Sequence, residues 1–175
     1  AALFHAADTM EYKNDPFFQK TASTLLRLLY ACGLRPNEGR NLKVEHINFQ
    51  TGELFITKTK RRKERIVVVS GDMLLLLKKY RLQRAVYDKG NEYFFIHTDS
   101  TAIKSWQLPA LVKSCWIAAH PGIDPKVLQR VRPYDLRHRF ASTVLHRWLD
   151  EGRNLYALLP YLRAYMGHEK FSDTA

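Results

Sequence analysis

The stretch Ile47-Asn48-Phe49-Gln50-Thr51-Gly52-Glu53-Leu54-Phe55-Ile56-Thr57, followed after a basic run by Ile66-Val67-Val68-Val69, sets the fold class. Here short β-rich runs are separated by turn residues. The expected strands are 47 to 49, 54 to 57 and 66 to 69. Thr51-Gly52 makes the first turn, and the run 58 to 65 makes the second. The result is an antiparallel sheet of three strands. Outward from it the chain reads as helical. Upstream, Asp15-Pro16 opens a helix with a capping side chain followed by proline. Leu25, Leu28, Leu29 and Cys32 recur at helical spacing, Gly33 ends the helix, and Pro36 starts a short one reaching about Leu42. Downstream, Ser70-Gly71-Asp72 caps a helix to about Tyr87, and Tyr93 to Ile96 is a short buried strand or linker. Further helices are expected from Lys104 to Ala119 and from Leu136 to Asp150, the latter capped by Asp135. A last one runs from Leu155 to Tyr165, interrupted near Pro160. The fold class is therefore mainly α with a small antiparallel β-sheet (α+β).

The 175 residues suffice for one domain with a real core. A formal net charge of +11 favours a polyanionic partner, nucleic acid first. No apolar run is long enough to span a membrane, so no membrane partner is expected. Cys32 and Cys115 lie far apart in apolar stretches and read as buried, reduced thiols of a cytoplasmic protein. The seven histidines include no tight ligand pair, so neither a metal nor another cofactor is expected. Trp106, Trp116 and Trp148 sit in helical patterns and read as core, as do Tyr156, Tyr161 and Tyr165 among the leucines of the last helix. The Ala-Ala start reads as a fragment cut from a longer chain.

Three cationic features carry the chemistry. Lys58, Lys60, Arg61, Arg62, Lys63 and Arg65 crowd one turn, opposed only by Glu64. A charge run is commonly a solvated surface. Six like charges on a tight turn nevertheless repel, by a few tenths of a kcal/mol per close pair, unless a polyanion relieves them. Arg35 follows a helix-ending glycine and precedes a proline, so its backbone is restricted, and Glu38 stands three residues on, placed to orient it. A cation at a helix N-terminus opposes the macrodipole, and a phosphate there would satisfy both. Arg137, in the first turn of the helix capped by Asp135, presents the same pairing.

The order Gly33-Leu34-Arg35-Pro36-Asn37-Glu38, then the basic hairpin, then Tyr134-Asp135-Leu136-Arg137-His138, then Gly167-His168 resembles the tyrosine recombinases, the phage integrase family, over nearly the whole chain. The resemblance implies that family's catalytic-domain fold. It implies that Arg35 and Arg137 hold the scissile phosphate, at about 3–4 kcal/mol of transition-state stabilisation each, and that His168 donates to the same phosphate. Lys60, five residues before Arg65, corresponds to the hairpin lysine that protonates the departing 5′ oxygen, with Lys58 as the alternative. Lys58, Arg61, Arg62, Lys63 and Arg65 are then DNA contacts. Tyr134 stands where the family usually has histidine, which favours a neutral hydrogen-bond donor over a base, the reference pKa of tyrosine being about 10.

By the same resemblance, the nucleophilic tyrosine falls beyond Ala175. Residues 1–175 are expected to be a single catalytic domain, lacking both the carboxy-terminal segment with that tyrosine and the amino-terminal domain that clasps DNA. Alone, the chain is expected to bind DNA without cleaving it. The implied activity is DNA integration and site-specific recombination through a 3′-phosphotyrosine, without a cofactor. The implied partners are double-stranded DNA and further protomers in a tetramer on paired sites. The implied location is the bacterial or phage-infected cytoplasm, at the nucleoid. Two alternatives stay open: a non-catalytic DNA-binding module, in which the arginines only grip backbone, and a type IB topoisomerase.

Overall fold

The computed structural model describes residues 1–57 and 64–167. Seven helices are described: α1 (Ala2–Thr9), α2 (Phe18–Cys32), α3 (Pro36–Arg40), α4 (Gly71–Arg84), α5 (Gln107–Ala118), α6 (Pro133–Asp150) and α7 (Leu155–Met166). The strands are β1 (Ile47–Asn48), β2 (Glu53–Ile56) and β3 (Arg65–Val68), in the order β1-β2-β3.

The sheet is antiparallel, as its turn residues predict. Leu54 faces Ile47 and Val67, Phe55 faces Ile66, and Ile56 faces Arg65. Alternation buries Leu54, Ile56 and Val67 and leaves Phe55, Ile66 and Val68 outside. Arg65 is in phase with Val67, so its side chain starts on the inner face. That phase governs which groups Arg65 can reach.

α2 is the central helix. Leu25, Leu26, Leu28 and Leu29 are all fully buried, so several faces of this helix are covered. It packs against α1, α3, α4 and α6. α1 is not foreseen from the sequence. It is alanine-rich and only eight residues long, and it is held by burying Leu3, Ala6 and Ala7 against α2 and α5.

The segment 93–96 is buried without being a strand. Phe94, Phe95 and Ile96 are fully covered. Their backbone polar groups are satisfied one by one rather than by a ladder. Phe94 N donates to Leu42 O at 2.7 Å. Arg84 Nε donates to Phe94 O at 3.0 Å, Thr21 Oγ1 to Ile96 O at 2.7 Å, and Ile96 N to the Tyr80 hydroxyl at 3.3 Å. Arg84 is itself buried and also donates to Asn91 O and Tyr93 O while pairing with Asp88.

Several local expectations are corrected. α6 starts at Pro133, not Leu136, and Asp135 occupies its third position, accepting from Arg132 N at 2.7 Å. α7 runs through Pro160 without interruption. Trp106 is 65% exposed, Tyr156 89% and Tyr161 72%, so none of these is core. They lie on helix faces with no covering element among the described residues, which spacing along one helix cannot reveal. Phe140, Val144 and Trp148 join Leu162, Met166 and Tyr165 in a small second cluster between α6 and α7, apart from the main core that holds Leu136.

Replacing Arg84 by leucine would strand the buried Phe94 carbonyl, the half-buried Asn91 and Tyr93 carbonyls and the Asp88 carboxylate. The expected loss is about 3–5 kcal/mol, measured as a lower urea midpoint with little change in slope.

Candidate active site

Two helix ends create the site. α2 terminates at Gly33, whose φ of +56° is readily adopted only without a Cβ, and α7 terminates at Gly167 with φ +65°. Both leave carbonyls that cannot be satisfied within their own helix. Arg137 supplies the partners. Its Nη1 donates to Gly33 O and its Nη2 to Met166 O, the latter at 2.6 Å. The guanidinium therefore bridges the carboxy-terminal ends of α2 and α7, across 104 and 29 residues of sequence.

This reverses the electrostatic expectation. Arg137 lies more than a turn inside α6, not in its first turn. Its neighbours are the negative ends of two helix dipoles, where a cation is stabilised. Arg35 obeys the same rule. It caps the five-residue α3, whose first position is Pro36. Its Nη2 reaches Gly167 O at 2.7 Å.

Glu38 organises the cations. One oxygen accepts from Arg35 N, and the other accepts from Arg35 Nη1, both at 2.9 Å. Arg65 closes a fork over the same carboxylate, Nη1 to Oε1 at 2.9 Å and Nη2 to Oε2 at 2.8 Å. Its Nε donates to Tyr165 O at 2.9 Å. Three consecutive carbonyls at the end of α7, Tyr165, Met166 and Gly167, thus each receive a different guanidinium: Arg65, Arg137 and Arg35. The position of Arg65 in the basic run groups it with the groove contacts. In the structure its side chain turns inward to Glu38 and is only 12% exposed. Its phase with Val67 was the available signal.

Among the described residues, three guanidiniums face one carboxylate, a surplus of positive charge. Burial pushes the Arg137 pKa down to about 10, helped by repulsion from Arg35 and Arg65 and opposed by Glu38 and Tyr134. Burial alone would raise Glu38. Hydrogen bonds and charge from Arg65, with the Arg35 amide and guanidinium, outweigh it and hold this carboxyl below its usual range. Gly167 permits the crowding: a Cβ there would sit 3.3 Å from Arg65 Nη1 and 3.5 Å from Arg35 Nη1. At Gly33 a Cβ would collide with the Phe140 ring.

Tyr134 lies one turn before Arg137, half-exposed, and is close enough to influence its charge. Arg35 has 31% of its side chain exposed, so the cluster is open on that side. Lys58, Lys60, Arg61, Arg62, Lys63 and His168 lie outside the described residues. Tyr165 directs its carbonyl, not its hydroxyl, to the cluster. Its ring stacks on Phe140 at 5.7 Å, and its hydroxyl faces the Cys32 thiol, with burial raising its pKa first and Cys32 second. Among the described residues, no three His, Cys, Asp or Glu side chains are grouped to hold a metal ion. No helix among them is long and apolar enough to cross a membrane.

The model of the phage integrase family matches residues 2–174. A putative integrase/recombinase, y4rE, of Sinorhizobium fredii is 34% identical over 157 residues, which are 89% of this chain and 49% of that protein. The tyrosine recombinase XerA of Pyrococcus horikoshii is 29% identical over 86% of this chain and 47% of its own length. The chain thus spans about half the length of these curated relatives. Among solved structures, a XerA recombinase superposes with a TM-score of 0.75 at 21% identity, covering 99% of this chain and 55% of that one. A XerH site-specific recombinase bound to its difH substrate before cleavage gives 0.74 at 20% identity, covering 99% and 46%. Both likenesses concern the fold.

Glu38 makes stability depend on pH. Its folded pKa is depressed, so its contribution is complete above the unfolded carboxylate value and is lost as pH falls through the folded value. Glu38→Gln should cost about 3–5 kcal/mol at neutral pH, because buried guanidiniums lose their partner. It should also flatten the acid limb of a stability-versus-pH curve measured by urea unfolding.

Proposed function

We propose that this chain, which belongs to the phage integrase family, is the catalytic part of a tyrosine-type site-specific DNA recombinase. One observation carries the reading: Arg35 and Arg137, about a hundred residues apart in sequence, converge on adjacent carbonyls at the end of α7, in a cluster whose positive charge exceeds its negative. Each has donors to spare. A guanidinium has five N–H groups, and Arg35 and Arg137 each commit two of them among the described residues.

A phosphodiester seated beside Gly167 meets preorganised donors that need no reorientation as charge builds on its non-bridging oxygens. The attacking tyrosine, contributed from outside the described residues, gives up its phenolic proton to water and forms a bond from its oxygen to phosphorus. The bond from phosphorus to the 5′ oxygen breaks, and Lys60, or Lys58 in its place, gives that oxygen its proton. His168 directly follows Gly167 and donates to the same phosphate, and Tyr134 stands at the rim as a neutral donor. The 3′-phosphotyrosine retains the energy of the broken bond, so rejoining to a second strand needs no nucleotide cofactor.

Double-stranded DNA is the substrate, and the net charge of +11 supports it. The protein acts with other protomers on paired sites, in the cytoplasm where the DNA lies. XerH bound to difH and a lambda integrase dimer bound to a core site are relatives of the same fold seen on DNA.

The test is covalent trapping by the full-length protein on a nicked suicide duplex bearing its recognition site, resolved on a denaturing gel. Arg35→Ala and Arg137→Ala should each lower trapping by at least roughly 10²-fold, with a smaller loss of DNA affinity. Normal trapping by either variant would remove the proposal. Neutralising Arg61 and Arg62 together should flatten the slope of log affinity against log salt concentration by about 0.9 for each phosphate that is no longer neutralised. An unchanged slope would leave the hairpin as solvated surface.

A further inference from the structure

We propose that Arg65 is a positioning residue for Arg35: it occupies Glu38 so that Arg35 stays free to meet the phosphate, and it makes no DNA contact of its own. The inference rests on the recombinase reading above.

One carboxylate has a limited acceptor capacity. Its two oxygens offer about four lone-pair directions. In Glu38 all four are used: Oε1 accepts from Arg35 Nη1 and Arg65 Nη1, and Oε2 accepts from the Arg35 amide and Arg65 Nη2. Arg65 holds the fork-to-fork geometry, which is the strongest arrangement available to this pair. Arg35 is left with a single side-chain bond to Glu38. Its Nη2 then reaches Gly167 O, and its remaining N–H groups have no acceptor among the described residues.

Remove Arg65, and half of the Glu38 acceptor sites fall vacant beside a guanidinium already touching it. Glu38 is only 6% exposed, so water is a poor replacement. Arg35 gains by rotating into the vacated fork, which draws its Nη2 off Gly167 O and away from the end of α7. The amide bond from Arg35 to Glu38 keeps the backbone in place, so the displacement is confined to the side chain.

Arg65 is suited to this task by its own anchoring. Strand pairing with Ile56 holds its backbone, and alternation aims it inward beside Val67. Its Nε is fastened to Tyr165 O, 100 residues away in sequence. One planar group thereby ties the sheet, the Arg35–Glu38 pair and the last turn of α7 together. Lysine has no fork and cannot span both carboxylate oxygens and the carbonyl. A residue with these three engagements, and little exposed surface, is poorly placed to neutralise a DNA phosphate.

The experiment compares wild-type full-length protein with Arg65→Gln and Arg65→Lys. The recognition duplex is one selected by the wild-type protein from a random-sequence library, used both intact and as a nicked suicide substrate. Single-turnover trapping at saturating protein should fall roughly 10²-fold in Arg65→Gln, the scale expected for a reacting group misplaced by about an ångström. Affinity for the intact duplex and its salt slope should match those of Arg35→Ala, because the same phosphate contact is lost. Adding Glu38→Gln to Arg65→Gln should restore part of the missing trapping rate, because the carboxylate that captures Arg35 is gone; a purely structural role predicts a further drop. In an Arg35→Ala background, a salt slope that Arg65→Gln reduces by about a further 0.9 would make Arg65 a phosphate ligand and overturn the inference, as would trapping at the wild-type rate in Arg65→Gln alone. If Arg65→Gln shows no cooperative unfolding transition, Arg65→Lys decides by the same measurements. Arg137→Ala separates the two levels. If it abolishes trapping while the Arg65 variants trap normally, only this inference fails; if it traps normally, the recombinase reading fails beneath it.

Discussion

The guanidinium of Arg137, held between the carboxy-terminal carbonyls of α2 and α7, anchors everything else in the site. It is 4% exposed and, among the described residues, has no carboxylate among its hydrogen-bond partners. Such a burial is unfavourable unless dipoles replace the missing water. Two helix ends, each turned by a glycine in the left-handed region, supply those dipoles. Because each acceptor is a backbone group, the charge is positioned by the fold rather than by another mobile side chain.

The second layer is a division of labour among three arginines. All three reach the end of α7, but only Arg35 and Arg65 share Glu38. Among the described residues a single carboxylate, Glu38, is shared by this cluster. Burial depresses the Arg137 pKa, and repulsion from Arg35 and Arg65 adds to it. Under the proposed function, an arriving phosphate relieves that repulsion, so strain in the free protein becomes attraction for it. The site is thus preorganised at the expense of stability, as a cluster built almost wholly from arginine must be.

Much of this is legible along the chain. Short β-rich runs around Thr51-Gly52 identify the three strands, because period-two burial leaves a local mark. Arg35, Glu38 and Arg137 stand out by their spacing and by the glycines and prolines beside them. The inward turn of Arg65 is missed when its charge is counted with its neighbours in the hairpin and its phase with Val67 is not. The tyrosines of α7 mislead for a related reason: spacing on a helix says which residues share a face, not whether any element covers that face.

Proline, glycine and residue spacing are local properties. They suffice to establish that a cation follows each of two constrained turns, that a carboxylate orients the first, and that the whole carries a net charge of +11. Which helix termini the cations meet is settled only by packing. Local order along the chain puts both arginines at helix beginnings, where they oppose the dipole. Arg35 does cap the start of α3, but long-range contacts bring both guanidiniums to the ends of other helices, where the same charge is favoured.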